Sequence, residues 1–220
     1  MNPSKAPTRA LAVAAALLAI GCAARASDSS VPTMQHGHMQ MTMHRQQQSG
    51  DRTRADVILA AARKVMAEYP TVTAAEAAGF SKFLPRIPLP IEHYTSRRNA
   101  IEAQFRFDPS RPTSLIFARE NSQLELVGVM YTAPNSADET TLNERVPLSF
   151  GTWHRHVDFC RPASAKAFDA SIDAAGACAK AGGTFVPVVF GWMVHVWPNE
   201  KTDAAIWAVD RNGSMERGTM

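Results

Sequence analysis

Apolar residues recur three and four positions apart in three stretches of the chain, which predicts helices over residues 57–66, 74–78 and 164–181. Asp56 and Thr73 are candidate N-caps for the first two helices. Pro70, Gly79 and Gly182 follow the three patterns directly and mark their ends, because proline and glycine stop helices.

Runs of β-branched and aromatic residues predict strands over residues 114–118, 124–131, 148–159 and 185–197. A polar turn at residues 120–122 joins the first two strands into a hairpin. Residues 84–90 are rich in proline and predict an extended loop. Helices that flank an antiparallel meander indicate the α+β class, with a single domain over residues 54–220.

The first 26 residues predict a secretory signal. Lys5 and Arg9 precede an unbroken apolar run over residues 11–20, which is too short to span a bilayer. Two processing sites follow. Cleavage after Ala26 releases a soluble periplasmic protein, whereas the segment that ends at Cys22 resembles a lipobox and predicts a lipid-anchored protein that faces the periplasm. The sequence leaves both alternatives open, and Cys22 is the one predicted contact with a membrane.

Removal of the signal changes the charge of the protein. The whole chain has a net charge of +3, but the signal holds three basic residues and no acidic one. From Ser27 onward the chain carries 20 basic and 20 acidic residues. A balanced charge without a basic stripe argues against a nucleic-acid partner.

Residues 27–53 lack apolar periodicity and predict a disordered arm. Seven residues with thioether or imidazole side chains occur within eleven positions of this arm: Met34, His36, His38, Met39, Met41, Met43 and His44. Thioether sulfur favours Cu(I), and imidazole accepts Cu(I), Cu(II) and Zn(II). The arm is therefore a candidate copper ligand, and the alternative is a low-complexity linker.

Two cysteines, Cys160 and Cys178, remain in the folded region. An even pair in an oxidising compartment predicts a disulfide, with metal ligation as the alternative.

His154 and His156 are two positions apart in a predicted strand, so both imidazoles point to one face while Trp153 and Arg155 point to the other. Two imidazoles on one face favour a shared metal ion. His195 lies on a second predicted strand and is the candidate third ligand.

His93 is the candidate fourth ligand of this site. Asp158 or Glu92 is a candidate for orienting an imidazole through its second nitrogen. Copper is the expected ion, with zinc or iron as alternatives.

The chain has no serine-hydrolase elbow, phosphate-binding glycine loop, zinc-protease motif or c-type haem motif. Three hypotheses follow from the histidines. The first is a periplasmic metal-binding protein that handles copper through the arm and the histidine cluster. The second is a mononuclear metal-dependent enzyme with three histidine ligands and an open coordination position. The third is an envelope scaffold protein whose histidines pack without metal. The metal ion is the predicted partner, and protein partners stay open.

Five motifs resemble those of a family of uncharacterised exported bacterial proteins. They are a Y-x-x-V-x-x-A-x-A-x-G-F run over 69–80, the pair His93-Tyr94, F-D-P-x-x-P-x-x-L over 107–115, L-V-G-V-x-Y over 126–131 and H-V-W over 195–197. The resemblance covers roughly residues 56–200 and supports the domain assignment. It brings no activity with it.

Overall fold

The computed structural model of the chain describes residues 31–85, 89–120, 122–163, 168–169 and 171–211. Cys22, both predicted processing sites and part of the proline-rich loop lie outside the described residues. The elements are β1 (Thr33–His36), β2 (Met39–Thr42), α1 (Asp51–Glu68), α2 (Val72–Ala77), β3 (Ser81–Lys82), β4 (Ile91–Thr95), α3 (Arg97–Glu102), β5 (Ser114–Glu120), β6 (Gln123–Ala133), α4 (Glu139–Arg145), β7 (His154–Arg161), α5 (Ala175–Lys180), β8 (Thr184–Val188), β9 (Trp192–Val196) and α6 (Asp203–Ile206).

The strands form one antiparallel sheet of nine strands in the order β1-β2-β7-β9-β6-β5-β4-β3, and β8 pairs with β7 outside this path. Together with the six helices of the described ranges, this sheet confirms the predicted α+β class. The order departs from the order along the chain at β2–β7, where the N-terminal hairpin joins a strand more than a hundred residues away. It does so again at β9–β6.

Helix α1 covers one face of the sheet. Its buried residues Ala55, Ile58, Ala62 and Val65 are three and four positions apart and pack into the main core. The helix begins five residues before the predicted cap Asp56, because Asp51 is satisfied at its start by the Gln48 N–H, the Ser149 hydroxyl and the Arg54 guanidinium. The predicted cap is therefore wrong.

The second helix is confirmed, but it begins two residues earlier and ends one residue earlier than predicted. It runs from Val72 to Ala77, and the hydroxyl of Thr71, not Thr73, accepts the hydrogen bond from the Ala74 N–H that caps it. Gly79 ends it with a φ of 88°, a left-handed conformation that glycine adopts without steric cost.

The helix predicted over residues 164–181 is shorter in the structure. Within the described part of this segment, only Ala175–Lys180 is helical. Asp169 accepts hydrogen bonds from the N–H and the hydroxyl of Ser171, a local turn that competes with a helix.

The hairpin predicted around residues 120–122 is confirmed by β5 and β6, while the run over 185–197 is two strands and not one. The chain bends between them at residues 189–190, and at the next residue, Gly191, a Cβ atom would collide with the carbonyl oxygen of Ala133. Before the bend, β8 pairs with the second half of β7. Beyond it, β9 contacts the beginning of β7 and pairs along β6.

The prediction of a disordered arm is wrong for Thr33–Thr42. These residues form the β1–β2 hairpin, which extends the sheet by pairing β2 with β7. Helix α1 then begins at Asp51, inside the segment that was expected to be disordered. The hairpin owes its order to pairing with a distant strand and not to any apolar periodicity of its own.

Candidate metal site on the second face of the sheet

The sheet has a second face, opposite α1, that carries the four histidines of the predicted domain. Trp153 packs in the main core on the α1 side, and Arg155 lies over the ring of core residue Trp192 at 4.4 Å. His154 and His156 between them point to the opposite face, where their ring centroids are 6.1 Å apart. The smaller cluster on this face includes Ile116, Met130, Met193 and Trp197.

His195 on β9 lies in the centre of this group. Its ring centroid is 4.9 Å from that of His154 and 5.5 Å from that of His93 on β4. The structure therefore brings together the four histidines of the folded domain that the sequence suggested as ligands. We call His93, His154, His156 and His195 the histidine cluster.

The closest approach in the cluster is between the Nε2 atoms of His93 and His195, at 3.5 Å. β4 and β9 are separated by β5 and β6, which places them about 14 Å apart in a flat sheet. The sheet must therefore curve toward this face. Phe83, whose N–H donates to the carbonyl of His93, also contacts Phe190 of the β8–β9 connection at 5.3 Å between ring centroids.

Backbone carbonyls fix the orientation of two rings. His195 donates from Nδ1 to the carbonyl of Val209 at 2.6 Å, which leaves the lone pair of Nε2 directed toward His93. His38, in the β1–β2 turn, is bound through Nδ1 to the carbonyl of Val157 at 3.1 Å. Histidines that ligate metals use the same arrangement, with the second ring nitrogen held by a carbonyl or a carboxylate.

The two acidic residues expected to orient an imidazole form other contacts. Glu92 is buried on the α1 side, where its carboxylate pairs with Lys82 at 3.0 Å and with Arg119 at 3.1 Å. Asp158 has a φ of 60° and accepts a hydrogen bond from the side chain of Gln35. It interrupts the alternation of β7, so Phe159 lies on the same face as His156, with their ring centroids 6.1 Å apart.

Burial is the main cause of the low basicity of these rings. It lowers the pKa of His93 to about 3 and that of His195 to about 4. Burial also lowers the pKa of His154 and of His156, and repulsion from neighbouring imidazoles acts in the same direction. All four rings are therefore neutral at pH 7, the protonation state in which an imidazole binds a metal ion.

Exposure to solvent differs among the four residues of the cluster. His154 and His195 are buried, with exposed fractions of 1% and 8%, whereas His93 and His156 are half-buried. Nδ1 of His154 is buried and forms no hydrogen bond of standard geometry within the described part of the chain. It is the one buried imidazole nitrogen without such a partner among the described residues.

Within the described residues, no group of three or more His, Cys, Asp or Glu side chains has the donor arrangement of a complete metal site. The closest approach to one is the His93–His195 pair. Two nitrogens bound to a tetrahedral ion at the usual Zn–N distance are about 3.4 Å apart, so the observed 3.5 Å suits two ligands of one ion. The pair alone does not complete a three-ligand site, and His154, His156 and the methionines of this face are the remaining candidate donors.

The β1–β2 hairpin brings part of the Met/His segment to this face. Met39 is opposite His156 in the backbone register, and Met41 is opposite His154. The ring of His38 stacks against Phe159 at 4.4 Å between centroids.

The remaining residues of the Met/His segment lie farther from the cluster. Met34 and Met43 are exposed, and His44 is bound to the hydroxyl of Thr152 at 3.1 Å. The backbone of His36 pairs with Met39, and its side chain lies outside the described part of the structure.

Three further residues contribute to this face, and one of them, Met130, was not anticipated from the sequence. Met193 and Met130 lie beside His154 and His195 in the register of β7, β9 and β6. Trp197 lies over Gly128, whose missing side chain leaves room for the indole, and its ring is 5.4 Å from that of His195. Alternation along β6 and β9 can predict which face these side chains point to, but which residues they contact depends on the strand order.

The predicted disulfide between Cys160 and Cys178 is present and joins β7 to α5. No helix in the described ranges is long and apolar enough to cross a membrane.

No family model, curated protein or solved structure matches this chain.

Proposed function

We propose that this protein binds a transition-metal ion, copper first, through the histidine cluster and the methionines beside it. The observation that carries the proposal is the His93–His195 pair, whose Nε2 atoms are 3.5 Å apart on the second face of the sheet. The distance suits two ligands of one ion, and both rings are neutral at pH 7 because burial lowers their pKa.

Copper is preferred over zinc because of the sulfur on the same face. Met39 and Met41 lie opposite His156 and His154, and Met193 lies beside His154 on the other side. Thioether groups select soft ions, and imidazole accepts both oxidation states of copper. The N-terminal sequence supports an exported protein, released into the periplasm or anchored to its membrane through Cys22.

The test is a competition titration of the purified protein with Cu(I) under anaerobic conditions, and with Cu(II) and Zn(II) in parallel. We expect one ion per chain. We expect the double variant His93→Gln/His195→Gln to lose about 100-fold or more in affinity, since even a supporting residue of a metal site is worth 10–100-fold. Glutamine retains polarity and size, and thermal unfolding checks that the variant is folded.

His44→Gln is the matched control, because His44 is an exposed histidine bound to Thr152 outside the cluster. It should leave the affinity unchanged. Equal affinity in the wild-type protein and in the His93/His195 double variant would overturn the proposal, and so would the absence of submicromolar binding of any of the three ions. Tighter binding of Zn(II) than of copper would overturn the choice of metal.

The second candidate is a mononuclear metal-dependent enzyme, and one observation favours it. The half-buried rings of His93 and His156 leave the cluster accessible from solvent, as an open coordination position requires. Azide added to the Cu(II)-loaded protein distinguishes the two functions. A new charge-transfer band would support an exchangeable ligand position, and an unchanged spectrum would reject the enzyme.

A further inference from the structure

Four residues with soft or borderline ligand side chains form a row across four adjacent strands. Met34 of β1 pairs with Met41 of β2, Met41 pairs with His154 of β7, and His154 pairs with Met193 of β9. Residues directly opposite each other in antiparallel strands point to the same face, with Cβ atoms about 4.5–5.5 Å apart. The row therefore places one thioether or imidazole on each of the four strands, at the distance that separates neighbouring strands.

The row runs from solvent into the cluster. Met34 is 46% exposed and Met41 is half-buried, while the exposed fractions of His154 and Met193 are 1% and 7%. His154 is also the member of the row that touches the cluster, because its ring centroid is 4.9 Å from that of His195. The exposed end of the row is an edge strand of the sheet, and its buried end adjoins the His93–His195 pair.

The chemistry of the row fits Cu(I). Thioether sulfur carries no proton and no charge, and the imidazole of His154 is neutral because burial lowers its pKa. A Cu(I) ion that exchanges one of these ligands for the next therefore releases no proton and changes no oxidation state. Zn(II) prefers nitrogen, oxygen and thiolate ligands and gains little from thioethers.

We infer that Met34, Met41 and His154 form a path along which Cu(I) passes from the edge of the sheet to the His93–His195 pair. This inference rests on the proposed function, which it deepens by naming the oxidation state and the route. Each step is a ligand exchange, in which a bond from copper to the next donor forms as the bond to the previous one breaks.

The experiment measures the rate at which the purified protein withdraws Cu(I) from its bicinchoninate complex, followed by the loss of that complex's absorbance. We expect the double variant Met34→Leu/Met41→Leu to slow this transfer by about tenfold, the scale on which a lost supporting residue affects a metal site. Leucine conserves the apolar volume of methionine, so the hairpin is expected to remain folded. The equilibrium affinity for Cu(I) should fall far less than in His93→Gln/His195→Gln, because the His93–His195 pair is intact, and the rate of Zn(II) uptake should not change.

Met43→Leu is the matched control, because Met43 is 47% exposed and lies just beyond the end of β2, outside the row. It should transfer Cu(I) at the wild-type rate. An equal slowing by Met43→Leu, or a wild-type rate in the double variant, would overturn the path.

The outcome for the path and the outcome for the binding site are separable. If the Met34/Met41 variant behaves as wild type while His93→Gln/His195→Gln abolishes binding, the path is wrong and the proposed function stands. If Cu(I) binding is lost in the methionine variant and retained in the histidine variant, both are wrong and copper is held by the hairpin alone.

Discussion

Acidification should destabilise the metal-free protein because its clustered histidines are buried in the neutral state. Burial lowers the pKa of His195 to about 4 in the folded state, whereas an unfolded chain has an ordinary histidine pKa near 6.5. Between these values the unfolded chain binds the proton more readily. The stability contributed by the neutral ring is therefore complete above pH 6.5, and it is lost as the pH falls from about 6.5 to about 4.

The size of the effect follows from the two pKa values. One pKa unit corresponds to about 1.4 kcal/mol, so the free energy of unfolding falls by about 2 kcal/mol from His195 alone on going from about pH 7.5 to about pH 5. His93 adds to this loss, since burial lowers its pKa to about 3. Asp51 does not contribute in this window. Burial raises its pKa, but hydrogen bonds from Gln48, Ser149 and Arg54 bring it down to about 2, so its contribution is lost only below the ordinary value of 3.8.

Urea unfolding of the chelator-treated protein at a series of pH values measures this loss, with tryptophan fluorescence as the signal. The variant His195→Gln should show a shallower pH dependence by about 2 kcal/mol over this range, whatever its stability at pH 7.5. His44→Gln leaves the buried rings of the cluster in place, so it is the matched control and should retain the slope of the wild-type protein. A wild-type loss below about 1 kcal/mol, or equal slopes in the wild-type protein and His195→Gln, would refute the reasoning.

Two further predictions concern stability. Gly183→Ala should lower the free energy of unfolding by about 1–3 kcal/mol, because its Cβ would lie 2.6 Å and 2.9 Å from the two disulfide sulfur atoms. Gly176→Ala, in helix α5 with open space around it, should leave the stability unchanged or raise it. Thermal unfolding of the two variants compares them directly, and equal midpoints would contradict the packing argument. Trp153→Phe should lose about 1–3 kcal/mol because the indole N–H no longer reaches the Leu142 carbonyl at 3.1 Å, yet its Cu(I) affinity should match wild type. A fall in affinity would show that the two faces of the sheet are not independent.

Local patterns predicted a good part of this structure. The α+β class, the β5–β6 hairpin and the disulfide follow from apolar periodicity and cysteine count. Alternation along β7 and β9 was enough to place His154 and His156 on one face and Trp153 on the other. These features depend on residues that are close in the sequence, so they can be predicted from local patterns.

Other features depend on which distant strands meet. The β1–β2 hairpin has few apolar residues, and it forms because β2 pairs with β7. The contact between His93 and His195 requires the strand order β9-β6-β5-β4 and the curvature of that sheet, and neither is written in a local pattern. The group that orients His195 is a backbone carbonyl, Val209, which any residue type supplies. The residues predicted for this role were the carboxylates of Glu92 or Asp158.

The division of β7 between two faces makes insertions and deletions far more damaging than substitutions. A single residue added just before Trp153 would turn its indole toward the histidines and drive His154 into the apolar core beneath α1, because side chains alternate along a strand. The left-handed residue Asp158 marks the place where the strand already accommodates an irregular step. Length changes in relatives of this protein are therefore expected in the connections that flank β7, or at Asp158, and not between Trp153 and Val157.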